Sequence, residues 1–261
     1  MAKRHGMPGG GRKGLALVLA LLCACTPDPD SDVALIAVAT NFAFVAGRLE
    51  ADFEAQSGRR IDITTGATGK LYAQITNGAP FDALLAADVE RPERLAASGA
   101  GLAGTVFIYA RGRLALWSAV PGAIPAAGDR YLRALDYRRL AMANPDLAPY
   151  GLAARQVLQS LAVWDALQAR IVTGENVGQA HAMVATGNAD AGLVALADVL
   201  RLPDERSGSY WLVPAHLHEP IEQAAVLLRH GEDNPAAREF LDYLQTPEAR
   251  TMIESFGYEV P

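Results

Sequence analysis

The feature that most constrains the fold is the stretch Thr65-Gly66-Ala67-Thr68-Gly69-Lys70-Leu71-Tyr72-Ala73-Gln74-Ile75, followed by Asn77-Gly78-Ala79-Pro80-Phe81-Asp82. A short apolar strand runs into a turn of small residues. The turn opens a helix, Asn-Gly stops it, and a second apolar run begins at Ala83. A helix start without bulky side chains leaves backbone N–H groups free at the positive end of the helix dipole, which is a seat for an anion. The same layout recurs at Ala39-Thr40-Asn41, at Pro149-Tyr150-Gly151 and at Asn176-Val177-Gly178. Four such starts, with no catalytic constellation around them, point to a chain that binds an anion without transforming it.

Strands alternate with helical patterns from Val33 onward, which predicts an α/β fold with mainly parallel sheets. Phe42, Val45, Leu49 and Phe53 recur at helical spacing, and Gly58 ends that helix. Strands are expected at Ile61–Thr65, Ala83–Ala87, Thr105–Ala110 and Leu114–Ser118, the last two separated by Arg111-Gly112-Arg113. A second series follows Leu140–Ala143. It predicts one helix from Leu152 to about Arg170, another from Gly178 to about Thr186, a buried strand at Ala191–Ala195, strands at Trp211–Pro214 and Glu222–Leu228, and two closing helices.

Hydrophobic residues make up 51% of the 261, enough for a sizeable core in one large domain or two lobes. The formal charge is −6, and Lys3, Arg4, Arg12 and Lys13 all fall within the first 25 positions, where there is no acid. The remainder is therefore more acidic still, and a poor partner for nucleic acid. An anion must be held by local dipoles against that overall field.

Residues 1–25 read as an export segment, basic and then apolar from Leu15 to Leu22, too short to span a bilayer as a mature helix. Leu22-Cys23-Ala24-Cys25 resembles a lipoprotein processing box with Cys25 as the lipidated residue, although Cys23 departs from the usual residue at its position. Simple cleavage nearby is the alternative. Residues 26–32 read as a polar tether. Cleavage leaves no thiol for a disulfide, a metal or a nucleophile.

Other motifs have plainer readings. Gly66 to Lys70 has two residues between Gly66 and Gly69-Lys70, and Leu71 after the lysine, so it fails the pattern of a nucleotide phosphate loop. His181, His216, His218 and His230 lack metal-ligand spacing and read as surface or interface residues. No Gly-x-Ser-x-Gly elbow precedes a helix. Asp82 reads as a strand start and Asp88 as a helix cap.

In order along the chain, Ala39-Thr40-Asn41-Phe42, Gly66 to Ile75, Asn77 to Asp82, Ala143-Asn144-Pro145 with Ala148-Pro149-Tyr150-Gly151, Gly174-Glu175-Asn176-Val177, Gly187-Asn188-Ala189-Asp190-Ala191-Gly192, His218 to Gln223 and Phe256-Gly257-Tyr258 resemble the periplasmic molybdate-binding proteins of ABC transporters. The resemblance covers nearly all of residues 33–258. It implies a two-lobed type II periplasmic-binding-protein fold with the ligand in the interlobe cleft and crossings near Ala110–Arg113 and Pro220. Lobe I is then 33–112 with 220–261, and lobe II is 113–219. It implies a monomer that hands molybdate or tungstate to an ABC permease, with no cofactor, no enzymatic activity, and a membrane link only through a lipid anchor. Carried over by motif, the oxyanion ligands are Thr40, Asn41, Thr68, Tyr150 and Val177. Some members place a ligand tyrosine at the position of Ala195 and a small residue at that of Tyr150, so this chain matches a tyrosine-in-loop subgroup in which the Tyr150 hydroxyl is expected to supply the missing donor. Thr68 stands where serine is usual. Alternatives are a receptor for another oxyanion, sulfate above all; a ferric-iron receptor, which wants clustered tyrosines or carboxylates; and a secreted enzyme on the same fold.

Overall fold

The computed structural model describes residues 33–261. The export segment, the tether and Cys25 lie outside the described residues.

Two five-stranded sheets organise the chain. The first has strand order β2-β1-β3-β10-β4, from β1 (Val33–Ala39), β2 (Arg60–Gly66), β3 (Ala83–Leu85), β4 (Phe107–Gly112) and β10 (Ile221–Leu227). The second has order β7-β6-β8-β5-β9, from β5 (Leu114–Ser118), β6 (Leu140–Ala143), β7 (Ile171–Gly174), β8 (Ala191–Ala195) and β9 (Ser209–Leu212). Each sheet is parallel but for one strand, β10 in the first and β5 in the second. Those strands are the arrivals from the other sheet. The chain leaves the first sheet at Gly112 and enters the second at Leu114, with only Arg113 between; it returns between Leu212 and Ile221.

Helices cover both faces of each sheet because their apolar residues repeat at helical spacing. On one face of the first sheet lie α1 (Ala43–Ser57), α9 (Pro235–Tyr243) and α10 (Pro247–Ser255), burying Val45, Leu49, Phe53, Phe240 and Ile253. On the other lie α2 (Thr68–Thr76) and α3 (Glu90–Ser98), burying Leu71, Ile75 and Leu95. Around the second sheet α4 (Gly128–Ala134), α5 (Pro149–Ser160), α6 (Trp164–Leu167) and α7 (Val177–Ala185) close a core that includes Trp117, Leu132, Met142, Val157 and Val184. The short α8 (Leu196–Leu200) follows β8 and buries Ala197 in the core of the first sheet's unit.

Several expectations are corrected. The helix expected from Leu152 to Arg170 begins at Pro149 and stops at Ser160. Ala162 turns left-handed at φ 55°, and its N–H and that of Val163 return to Gln159 and Leu158 carbonyls (2.8 and 2.9 Å). A non-glycine residue in this conformation costs about 1–2 kcal/mol, so packing, not local preference, ends the helix. Strand β4 runs through Gly112 and does not break at Arg111, and α4 had no sequence signal. His181 is a core residue, stacked on Trp117 at 4.6 Å; burial, with Arg201 nearby, pushes its pKa down to about 4 and keeps it neutral. Asp82 does more than start a strand. Only 4% exposed, it accepts from the Leu35 N–H (2.8 Å) and from Asn234 Nδ2 (3.2 Å) and pairs with His230 (2.8 Å), tying three chain segments together.

Candidate functional site

In a parallel sheet, the helix after each strand starts at the same edge, so helix N-termini collect there. Here four of them meet in one small cavity, lined by Thr40, Asn41, Thr68, Tyr150 and Val177 together with small neighbours such as Gly66 and Ala87. All five residues singled out from the sequence line it.

Each start leaves donors unused. After β1 the chain makes a 3-10 turn over Thr40–Phe42 with no side-chain cap, and the Thr40 hydroxyl is buried without a partner. Helix α2 begins at Thr68 with no side-chain cap. The Thr68 hydroxyl accepts from the Ala87 N–H (3.1 Å), so its own proton is free to point into the cavity. Helix α5 opens with Pro149, whose ring suits a first helical position, and has no side-chain cap, leaving the Tyr150 N–H open. Helix α7 is capped by Asn176, whose side chain takes the Gln179 N–H (3.0 Å) and leaves that of Val177 free. None of these four starts carries an acidic residue in its first turn, whereas α3, α8 and α10 do. The positive end of each dipole is thus uncompensated by the chain itself. Among the described residues, no charged side chain lines the cavity. A larger open depression beside it carries Asp88, Glu90, Glu219 and Glu222, a lining that repels anions.

The cavity is closed by contacts between the units of the two sheets. The Gly69 N–H donates to the Leu147 carbonyl (2.9 Å), and Lys70 pairs with Glu175. Gly178 packs on Thr40 so closely that a Cβ there would come within 2.6 Å of the threonine methyl.

Asn41 and Tyr150 use their side chains elsewhere. Asn41 Nδ2 donates to Gln223 Oε1 (2.8 Å), and the Tyr258 hydroxyl donates to the Asn41 carbonyl (2.7 Å), leaving only the Asn41 main chain for a ligand. The Tyr150 ring, 1% exposed, reaches the crossing strand at Gly112. Its hydroxyl abuts Gly112 beside Gln223, neither of which lines the cavity, and is buried near Tyr258. The hydroxyl expected at the anion thus lies against Gly112, and the group of Tyr150 left open at the start of α5 is its main-chain N–H. Burial, reinforced by Tyr258 and Asp198, pushes the phenol far above its ordinary pKa, so it stays protonated.

This buried polar cluster of Asn41, Tyr109, Tyr150, Gln223 and Tyr258 was missed in the sequence. Its members lie up to 217 positions apart. Where β10 pairs with β4 the register shifts between Gln223 and Ala224, and Tyr109 is the extra residue of the bulge in β4. Asp198 sits near the cluster. Burial, opposed by Arg201, lifts its carboxyl to about 6.

The two-sheet architecture and a site made of helix starts are those of an anion-binding protein. Residues 34–259 match the bacterial extracellular solute-binding proteins, and the chain belongs to that family. It is similar to the molybdate-binding protein ModA of Azotobacter vinelandii, 45% identical over 223 residues, which cover 85% of this chain and 88% of that protein. The molybdate-binding protein ModA of Rhodobacter capsulatus is 40% identical, with 93% and 94% of the two chains covered. The solved structure of the Azotobacter vinelandii periplasmic molybdate-binding protein superposes with a TM-score of 0.84 at 40% identity, covering 87% of this chain and 99% of that one.

Proposed function

We propose that this chain captures molybdate or tungstate outside the cytoplasm and delivers it to an ABC transporter permease. It is a binding protein, and molybdate is its cargo. The observation that carries the reading is the uncharged cavity at four helix starts, together with the strong similarity to molybdate-binding proteins. In the proposed complex the Thr40 and Thr68 hydroxyls and the N–H groups of Asn41, Tyr150 and Val177 donate to a dianion that has no proton of its own. Charge-assisted bonds of this kind contribute about 1.5–3 kcal/mol each. Dehydration of the dianion and ordering of the lobes offset part of the total. Phosphate carries a proton at neutral pH and needs an acceptor, and the lining offers no carboxylate.

The lobes proposed are 33–112 with 220–261, and 113–219, which follows the passage of the chain between the two sheets. Calorimetric titration of the mature chain tests the reading. Molybdate and tungstate bind about 1:1 and sulfate far more weakly; equal affinities for sulfate and molybdate would refute it in favour of a general oxyanion receptor.

We further propose a monomer tethered by a lipid on Cys25. The support is the apolar run ending at Leu22-Cys23-Ala24-Cys25. Mass spectrometry of the native N-terminus is expected to find a diacylglyceryl group on Cys25. An unmodified N-terminus downstream of Cys25 refutes the anchor and leaves a free periplasmic protein.

A further inference from the structure

We infer that Gly112, outside the anion cavity, determines its selectivity, because it lets the Tyr150 ring seat in the crossing strand and so sets how far α5 advances on the anion. The inference rests on the molybdate reading above.

Gly112 is the last residue of β4, one position from Arg113, where the chain passes between the sheets. Its backbone needs no positive φ, so conformation does not explain the glycine. Space does. A Cβ built there would overlap the Tyr150 hydroxyl and would lie 2.8 Å from Tyr150 Cζ and 2.9 Å from Gln223 Nε2, far inside van der Waals contact. Tyr150 belongs to the second sheet's unit, while Gly112 and Gln223 belong to the first sheet. The ring is therefore a peg from one unit resting against the strands of the other. The seat depends on the space that Gly112 leaves for the hydroxyl.

The same residue carries the α5 N–H that lines the cavity. Ring and N–H move together, since Tyr150 is the second residue of α5 and Pro149 before it is rigid in φ. If the peg is pushed back, the N–H withdraws from Thr40 and Thr68. A seat that cannot close holds any tetrahedral dianion with an incomplete set of donors, and an incomplete site does not measure size. Molybdate and sulfate carry the same charge and differ in size, so their ratio reports closure directly.

The test is the molybdate-to-sulfate affinity ratio by calorimetry in the parent, in Gly112→Ala and in Gly112→Ala/Tyr150→Phe. In Gly112→Ala, molybdate affinity is expected to fall at least about tenfold and the ratio to narrow at least about threefold. Removing the hydroxyl in the double variant frees the space the methyl needs, so both are expected to recover in part. A parent that does not discriminate overturns the molybdate reading and the inference with it. A discriminating parent with an unchanged ratio in Gly112→Ala overturns the inference alone, as does a double variant no better than Gly112→Ala. If Gly112→Ala does not fold, the double variant is compared with Tyr150→Phe. Cζ still crowds the new methyl, so a narrower ratio is expected in the double variant, and equal ratios overturn the inference.

Discussion

Val177→Pro is expected to weaken molybdate binding by ~1.5–3 kcal/mol, roughly one to two orders of magnitude in Kd, while leaving the unliganded protein folded. The substitution deletes one backbone N–H and little else. Val177 is the first residue of α7, a position that accepts proline because its N–H has no intrahelical partner. Asn176 before it is already extended, at φ −140° and ψ 172°, as a residue preceding proline prefers. The cap from Asn176 to Gln179 does not involve Val177. In the complex the change leaves one dianion oxygen short of a donor in a site closed to water. Val177→Ala trims the same buried side chain but keeps the N–H, and is expected to lose far less. Titration calorimetry on the two variants checks this; equal losses would mean that α7 contributes packing and not a hydrogen bond.

Thr68→Val is expected to produce a comparable loss of affinity together with a loss of stability. Valine has the shape of threonine without the hydroxyl. The hydroxyl accepts from the Ala87 N–H at 3.1 Å, and in the proposed complex it also donates its own proton to the anion. Removing it costs the complex one charge-assisted bond, ~1.5–3 kcal/mol, and leaves a buried N–H without a partner, about 1–3 kcal/mol, in the unliganded protein as well. Thermal unfolding of the unliganded variant is therefore expected a few degrees below the parent. Thr68→Ser keeps both roles and is expected to recover affinity. A Thr68→Val protein that melts with the parent and binds as tightly would remove the hydroxyl from the site.

What could be read from the sequence is what is local. A small-residue turn at the end of an apolar run marks a helix start, and all four such turns come to one edge of the sheets because a strand-turn-helix unit can place its helix start nowhere else. Thr40, Asn41, Thr68, Tyr150 and Val177 are therefore neighbours for a reason visible in the chain. The direction of a side chain is not local. Tyr150 follows a proline at a helix start, which fixes its N–H, but its ring goes where Gly112 and Gln223 leave room, and those residues are 38 and 73 positions away by their numbering. The break at Ala162 was hidden for the same reason: alanine gives no stop signal, and the left-handed turn is imposed by packing. His181 looked like a surface residue because nothing in its own helix announces that Trp117 will lie flat against it.

The position of the metal atom itself is the most direct test. Crystals of the mature chain grown with molybdate, measured at the molybdenum absorption edge, are expected to give one anomalous peak per chain. It should lie among Thr40, Asn41, Thr68, Tyr150 and Val177, with the Thr68 hydroxyl and the Tyr150 and Val177 N–H groups within hydrogen-bonding reach of the anion's oxygens. A peak in the acidic depression near Asp88 and Glu222, or no peak in the helix-start cavity at saturating molybdate, would contradict the assignment of that cavity as the oxyanion site.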